Sequence, residues 1–558
     1  MFKLRQVTQR LALCCQPRRG LLASPASEPR AKTETAVMSN STRGRITRRD
    51  LFRSSSAAAT AALLGGRSQA AGATQASSGA SPEVYTRLGV EPFINCTATL
   101  TINGGSRLLP EVVDAIEQAS HFHVDLDELL EAAGRRIAEL LEVEWALVTS
   151  GAASALTHAT AGCVAGTDPE LMQQLPDVTG LKDEVVIPRT SRNSYDHAIR
   201  TVGVRIVEVD SIAEMEAAMT ERTAMVAVLG NRFEEMRLGL TTIAPIARAA
   251  GVPILVDAAA DYPVMPNPYI RDGADLVAYS CGKILRGPQT AGLLLGRQDL
   301  VRAAGANAAP HHAIGRPMKV SKEEIVGAVT AVEAWMARDL ASEYREWESW
   351  YARISERIAQ VAGVSARIEP PTRGGPFPTL LVEWDPAQIP ITAEELNTAL
   401  RSGRPAIATH AAGPGHSCRL RPAAMRPEDH LVVAERLHEL FSQVEKVDRR
   451  PATAAPAADL SGRWDVDVTF GHGRAEHVLF LEARDHAIAG THVGTRIRGE
   501  LSGRIEGAHV HFRSELPFEG VRLGYEFDGT VAGDEMSGTL DLGEYPAARW
   551  TARRHTYA

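Results

Sequence analysis

Pro253-Ile254-Leu255-Val256-Asp257, then Leu276-Val277-Ala278-Tyr279-Ser280-Cys281-Gly282-Lys283, then Gly292-Leu293-Leu294-Leu295-Gly296: these three apolar runs decide the architecture. Each is too short for a helix and too continuous for a strand with one wet face. Such runs belong to strands covered on both sides. Similar runs lie upstream at 146–149, 184–187, 205–209 and 224–229. Helical patterns separate them, at 110–120, 211–219 and 243–250. Strands alternating with helices predict an α/β fold, a mostly parallel sheet clad on both faces, over 81–320.

The whole chain has 558 residues and a formal net charge of -8. An acidic balance argues against nucleic-acid partners, because phosphate neutralisation needs a basic face. Six scattered cysteines without a CxxC pair exclude a zinc ribbon or a disulfide-dense scaffold. The histidine pairs His121/His123 and His311/His312 lack a ligand pattern, so no metal site is predicted. Lysine occurs only at 3, 32, 182, 283, 319, 322 and 446, which leaves few places for an amine nucleophile.

Residues 321–362 predict an almost unbroken helix, with Val326, Val329, Val332, Trp335 and Met336 as its apolar stripe. That helix opens a small α/β domain, 321–447. A Pro/Ala linker follows at 448–458. From 459 to 558 short alternating runs separated by Gly turns predict an accessory antiparallel β-barrel or sandwich. At the other end, Thr47-Arg48-Arg49-Asp50-Leu51-Phe52 precedes an Ala-rich stretch, the pattern of a twin-arginine export signal over 38–80. Residues 1–37 read as an upstream extension before a start at Met38; the alternative is that 1–30, Arg-rich and almost without acids, is an organelle transit peptide. No apolar run is long enough for a membrane anchor. The expectation is an exported, periplasmic protein handled by the twin-arginine machinery.

The chemistry gathers at predicted strand ends, where open α/β sheets bind ligands. Asp257 closes one strand, and Lys283 follows another closely. A third strand runs into Ser150-Gly151-Ala152 at a helix start, whose free N–H groups suit a phosphate. An amine, a carboxylate and an anion cradle are what pyridoxal 5'-phosphate requires: a covalent attachment, a partner for the pyridinium nitrogen and a phosphate site. Burial would lower the Lys283 pKa toward the neutral amine that attack requires.

Several segments resemble one known group. They are Ile94-Asn95-Cys96-Thr97, Gly104-Gly105-Ser106-Arg107, Asn193-Ser194-Tyr195-Asp196-His197, Ser280-Cys281-Gly282-Lys283-Ile284-Leu285-Arg286-Gly287-Pro288-Gln289 and Ile314-Gly315-Arg316-Pro317-Met318-Lys319. Over about 85–445 the chain resembles the selenocysteine synthase-like fold-type I pyridoxal-phosphate enzymes, nearest to the D-glucosaminate-6-phosphate ammonia-lyase-like proteins. The resemblance implies a large sheet domain, a small α/β domain and a homodimer or larger homo-oligomer. It implies that Lys283 carries the internal aldimine and Asp257 meets the ring nitrogen. Ser150, Gly151, Ala152 and Ser280 would hold the phosphate, with Thr290 assisting. Tyr195 or His197 would lie near the ring face, and Arg316 and Lys319 would meet a substrate carboxylate or the phosphate. Cys281 stands where the group commonly has glycine and reads as a small core residue.

The function expected is a lyase of the α,β-elimination or ammonia-lyase type acting on an amino acid or amino sugar acid, unphosphorylated because of export: a group leaves the β carbon and the enamine hydrolyses to a keto acid and ammonia. Racemase, aldolase or aminotransferase chemistry is the alternative from the same start. A selenocysteine synthase-like transferase and a non-catalytic binding protein on the same scaffold are the others.

Overall fold

All seven runs form strands of one sheet. After a short N-terminal strand β1 (Phe93–Asn95), they are β2 (Trp145–Thr149), β3 (Glu184–Pro188), β4 (Arg205–Val209), β5 (Thr223–Leu229), β6 (Ile254–Asp257), β7 (Leu276–Ser280) and β8 (Gly292–Gly296). This computed structural model describes residues 82–230, 238–372, 375–411, 415–443 and 454–556. The export-signal segment and part of the 448–458 linker lie outside the described residues.

The order across the sheet is β2-β8-β7-β6-β5-β3-β4, with β8 antiparallel to both neighbours and the rest parallel. The continuous apolar runs follow from cladding on both faces. Val256, Val277 and Leu293 pack into the core on one side, while Leu255, Leu276 and Leu294 pack into the core on the other. The helix Gly151–Ala165 runs beneath the sheet and is buried almost all round. Small residues permit that. A Cβ on Gly162 would lie 2.8 Å from the Ala304 nitrogen of the helix Gln298–Ala306.

The predicted long helix is two: Lys322–Ala337 and Leu340–Ile358. Arg338 is extended, and the Asp339 side chain caps the second helix by accepting from the Ser342 N–H. The buried stripe also differs. Ile325, Ala328, Val332 and Trp335 are buried, Val326 and Val329 are half-buried and Met336 is exposed. The small domain continues with β9 (Val364–Glu369), β10 (Thr379–Trp384), β11 (Ala406–Ala408), β12 (His410–Ala411) and β13 (Ser417–Leu420). Its antiparallel sheet has the order β12-β13-β10-β9. β1 pairs in parallel with β11, so the segment entering the large domain is tied to the small one.

The C-terminal region is a closed barrel rather than a sandwich. Its strands are β14 (Gly462–Thr469), β15 (Arg474–Arg484), β16 (Ala487–Val493), β17 (Arg498–Glu506), β18 (His509–Phe518), β19 (Val521–Ala532), β20 (Glu535–Leu542) and β21 (Tyr545–Arg554). Each pairs with the next, and β21 closes on β14. Inward residues alternate with outward ones, and Trp464, Phe512, Phe527 and Trp550 fill a core of its own. Closure removes the exposed sheet edges.

Candidate active site

The strands β2, β3, β5, β6 and β7 run the same way, so Thr149, Pro188, Leu229, Asp257 and Ser280 end at one edge of the sheet. Asp257 Oδ1 accepts from the Ala259 N–H at 3.1 Å. Burial pushes its carboxyl above the ordinary carboxylate range, opposed by the Ala259 hydrogen bond and by Lys283. Lys283 lies in the turn after β7. Burial holds its ammonium below the ordinary lysine range, opposed by Asp257. Each is thus shifted toward its neutral form, as desolvation demands of a carboxylate and an amine. Among the described residues neither is engaged by another side chain through a hydrogen bond or ion pair.

The lysine turn is held on all sides. Cys281 N–H donates to Ala291 O at 3.0 Å, and Gly287 N–H donates to Cys281 O at 2.9 Å. Ser106 N–H donates to Gly282 O at 3.1 Å, and Gln289 Nε2 donates to Thr101 O at 3.2 Å, so the 100–107 loop covers the turn. Gly282 must be glycine, because a Cβ there would sit 2.3 Å from the Gln289 Cα. Cys281 is fully buried and its thiol is pushed up to about 12 by burial. That agrees with a core role, since the thiolate is the reactive form.

The anion cradle begins the helix Gly151–Ala165. Its N-cap residue, Ser150, makes no side-chain cap, unlike Asp125, Ser321 and Thr392 at other helix starts. The first-turn N–H groups are therefore not claimed by a capping side chain, and an anion would complete them. Gly151 has φ 81, and the start of β8 presses on it: a Cβ on Gly292 would lie 2.4 Å from the Gly151 carbonyl carbon and 2.5 Å from the Ala152 nitrogen. Ser280 pairs with Gly292 across β7 and β8, which brings it to the same corner.

Other expected residues fall less centrally. Tyr195 is exposed, yet it lines a small cavity together with Asp257, Asn193 and Asp196. His197 is exposed and does not line that cavity. The Thr290 hydroxyl donates to Glu324. Arg316 and Lys319 lie on the loop after the helix Gln298–Ala306, with Lys319 exposed and Arg316 half-buried, its Nε without a partner among the described residues. No hydrogen bond or ion pair joins either to Asp257 or Lys283 among the described residues.

Three further residues beside these segments escaped the sequence reading. Asp196, between the two ring-face candidates, is the member of that segment buried against the Asp257 cavity, and it is ion-paired to Arg192. Opposite charges four apart in one short turn were the available signal. Arg421 is half-buried beside Thr97, has no ion pair among the described residues, and is lowered below the ordinary arginine range by burial and by Arg419. Thr97 belongs to the segment leading into the loop over Lys283. Glu519, from the barrel, pairs with Arg192 at 3.1 Å.

These residues fit pyridoxal phosphate: a desolvated amine, a half-buried carboxylate with an oxygen to spare, and an uncapped helix N-terminus at one sheet edge. The protein belongs to the fold-type I pyridoxal-phosphate enzymes. The Aminotransferase class-V family matches residues 111–320. The chain is 33% identical over 375 residues to 5'-C-glycyluridine monooxygenase-decarboxylase of a Streptomyces species, covering 64% of this chain and 92% of that protein. It is 29% identical over 337 residues to D-glucosaminate-6-phosphate ammonia lyase of Salmonella typhimurium, covering 58% of this chain and 89% of that protein. A solved structure of D-glucosaminate-6-phosphate ammonia-lyase superposes with a TM-score of 0.59 at 28% identity, covering 65% of this chain and 100% of that one. The expected family, fold and cofactor are therefore confirmed.

Proposed function

We propose that the protein eliminates ammonia from a small amino acid or amino sugar acid. The observation that carries this is the pairing of desolvated Lys283 with Asp257 beside an uncapped helix start, in a chain similar to an ammonia lyase over nearly all of that enzyme's length. The bound cofactor supplies an electron sink for the carbanion at the substrate α carbon. Lys283 takes the α proton as base, the substituent on the β carbon leaves with its bonding pair, and hydrolysis of the resulting enamine gives the keto acid and ammonia. Asp257 would hold a proton on the ring nitrogen. Ser150, Gly151, Ala152 and Ser280 would hold the phosphate. Arg421, half-buried and without an ion pair among the described residues, joins the half-buried Arg316 and the exposed Lys319 as a cation available for a substrate carboxylate.

A second reading, oxidative decarboxylation of an amino acid, is favoured by the greater identity to the monooxygenase-decarboxylase. One experiment separates them. The purified holoenzyme is offered a panel of amino acids and amino sugar acids, with ammonia, oxygen uptake and carbon dioxide followed together. Ammonia without oxygen uptake supports elimination; oxygen uptake with carbon dioxide supports the second reading. The cofactor assignment is tested apart from turnover, by borohydride reduction and peptide mapping, with fixation expected on Lys283. Export through the twin-arginine route and a homodimer or larger assembly complete the proposal. Changing Arg48 and Arg49 to Lys should retain the protein in the cytoplasm, and unchanged export would overturn that part. Sedimentation should give at least twice the chain mass.

A further inference from the structure

The barrel is filled unevenly. One half is closed by Trp464, Phe512, Phe527 and Trp550. At the other end, where the β14–β15, β18–β19 and β20–β21 turns lie, a cavity of about 370 Å³ opens between Phe470, Leu523, Tyr525, Leu542, Tyr545 and Pro546. That volume falls within the usual span of small-molecule sites, roughly 300–1,000 Å³. Tyr545 stands at the rim with 49% of its surface exposed. Among the described residues no Asp, Glu, Lys or Arg lines the cavity, and His472 is its one histidine.

The adjoining layer is polar and buried. His477 Nδ1 lies 2.9 Å from His492 Nε2, and His492 Nδ1 lies 2.7 Å from Ser514 Oγ. Both rings are buried, and burial holds His492 down to about 3 and His477 below its ordinary value. The Tyr525 ring meets both edge-on, at 4.9 Å from His492 and 5.7 Å from His477, so one side chain links the cavity wall to this chain of hydrogen bonds. A barrel core made only for stability has no need of such a layer, because burying polar groups gains little over packed apolar ones.

We propose that this end of the barrel binds a small, flat, uncharged molecule with an aromatic or apolar body and a single hydroxyl or carbonyl group. Aromatic walls recognise the body by stacking and edge contacts. The tyrosines and His472 supply the hydrogen bond. The absence of lining charges excludes an ionic ligand, whose desolvation nothing there offsets. This site is separate from the amine chemistry and stands whether or not the reading of Lys283 holds.

The test titrates the full-length holoenzyme with 2-naphthol, followed by its fluorescence, and with 2-naphthalenesulfonate as a charged molecule of the same shape. Saturable one-site binding of the naphthol is expected, at least about tenfold tighter than the sulfonate. Tyr545→Ala, at an exposed rim position, should weaken it about tenfold. Leu523→Arg should abolish it, with far-UV circular dichroism unchanged in both variants. Lys283→Ala should leave it unaltered. No saturable binding, equal binding of the sulfonate, indifference to Tyr545→Ala, or loss in Lys283→Ala would each overturn the proposal. If Leu523→Arg does not fold, the charge selectivity and the Tyr545 variant still decide.

Discussion

Lys283 and Asp257 divide one task, and single substitutions should separate their shares. Lys283→Ala should abolish covalent fixation of the cofactor. Asp257→Asn leaves the amine in place and removes the charge that raises its pKa. Covalent fixation should therefore persist, while turnover falls on the order of a hundredfold to a thousandfold, the scale of losing one preorganised electrostatic group. Retained turnover in Asp257→Asn would place the ring partner elsewhere. Gly292→Ala should act through the cradle: its Cβ would lie 2.5 Å from the Ala152 nitrogen, so cofactor affinity should drop, read by equilibrium dialysis. The lysine and the aspartate were legible in sequence because both follow strand ends and because lysine is scarce. Arg421 and Asp196 were not. Their meaning comes from burial beside Thr97 and against Asp257, contacts between segments far apart in the chain or, for Asp196, a side-chain direction set by a short helical turn.

Among elements, the strands were legible and the joints were not. A run such as 276–280 announces its burial on two faces, whereas the break at Arg338–Asp339 depends on a single cap. The joint of most consequence joins the barrel to the cofactor domain. The β18–β19 turn places Gly520, with φ 66, where a Cβ would lie 2.4 Å from the Asn193 carbonyl oxygen and 2.7 Å from Asp196 Oδ2. Beside it Glu519 pairs with Arg192, whose guanidinium also holds Asp196 and Glu208. The barrel thus presses on the segment that lines the Asp257 cavity. Gly520→Ala incurs about 1–2 kcal/mol of left-handed backbone strain and a clash besides. The substitution should lower stability and shift the visible absorbance of the bound cofactor, whereas Gly533→Ala, at a turn with open space, should leave the absorbance in place. An unshifted spectrum in Gly520→Ala would show that the contact holds the domains together without positioning the site.

At the scale of the whole molecule, acid should act through buried histidines in two separate cores. His158, in the helix beneath the large sheet, is 1% exposed, neither ring nitrogen has a partner among the described residues, and burial lowers it to about 4. His492 in the barrel is lowered to about 3. For both, the folded value lies below the unfolded one, so between them the unfolded chain binds more protons. Stability is then complete above the unfolded value, near 6.5, and falls as pH drops toward the folded one. For His158 the loss between pH 7 and pH 5 comes to about 2 kcal/mol. His158→Leu keeps an apolar side chain against Gly315 and removes the proton-binding group. Denaturant unfolding of this variant should therefore lose less stability over that pH range than the unaltered protein, by about that amount. The two slopes should converge above pH 7. An identical slope in both proteins would mean that the ring is protonated in the folded state, with water or another group supplying the partners it lacks. Because the barrel carries its own buried histidines, its acid transition should persist in His158→Leu, and that persistence marks the remaining slope as the barrel's own.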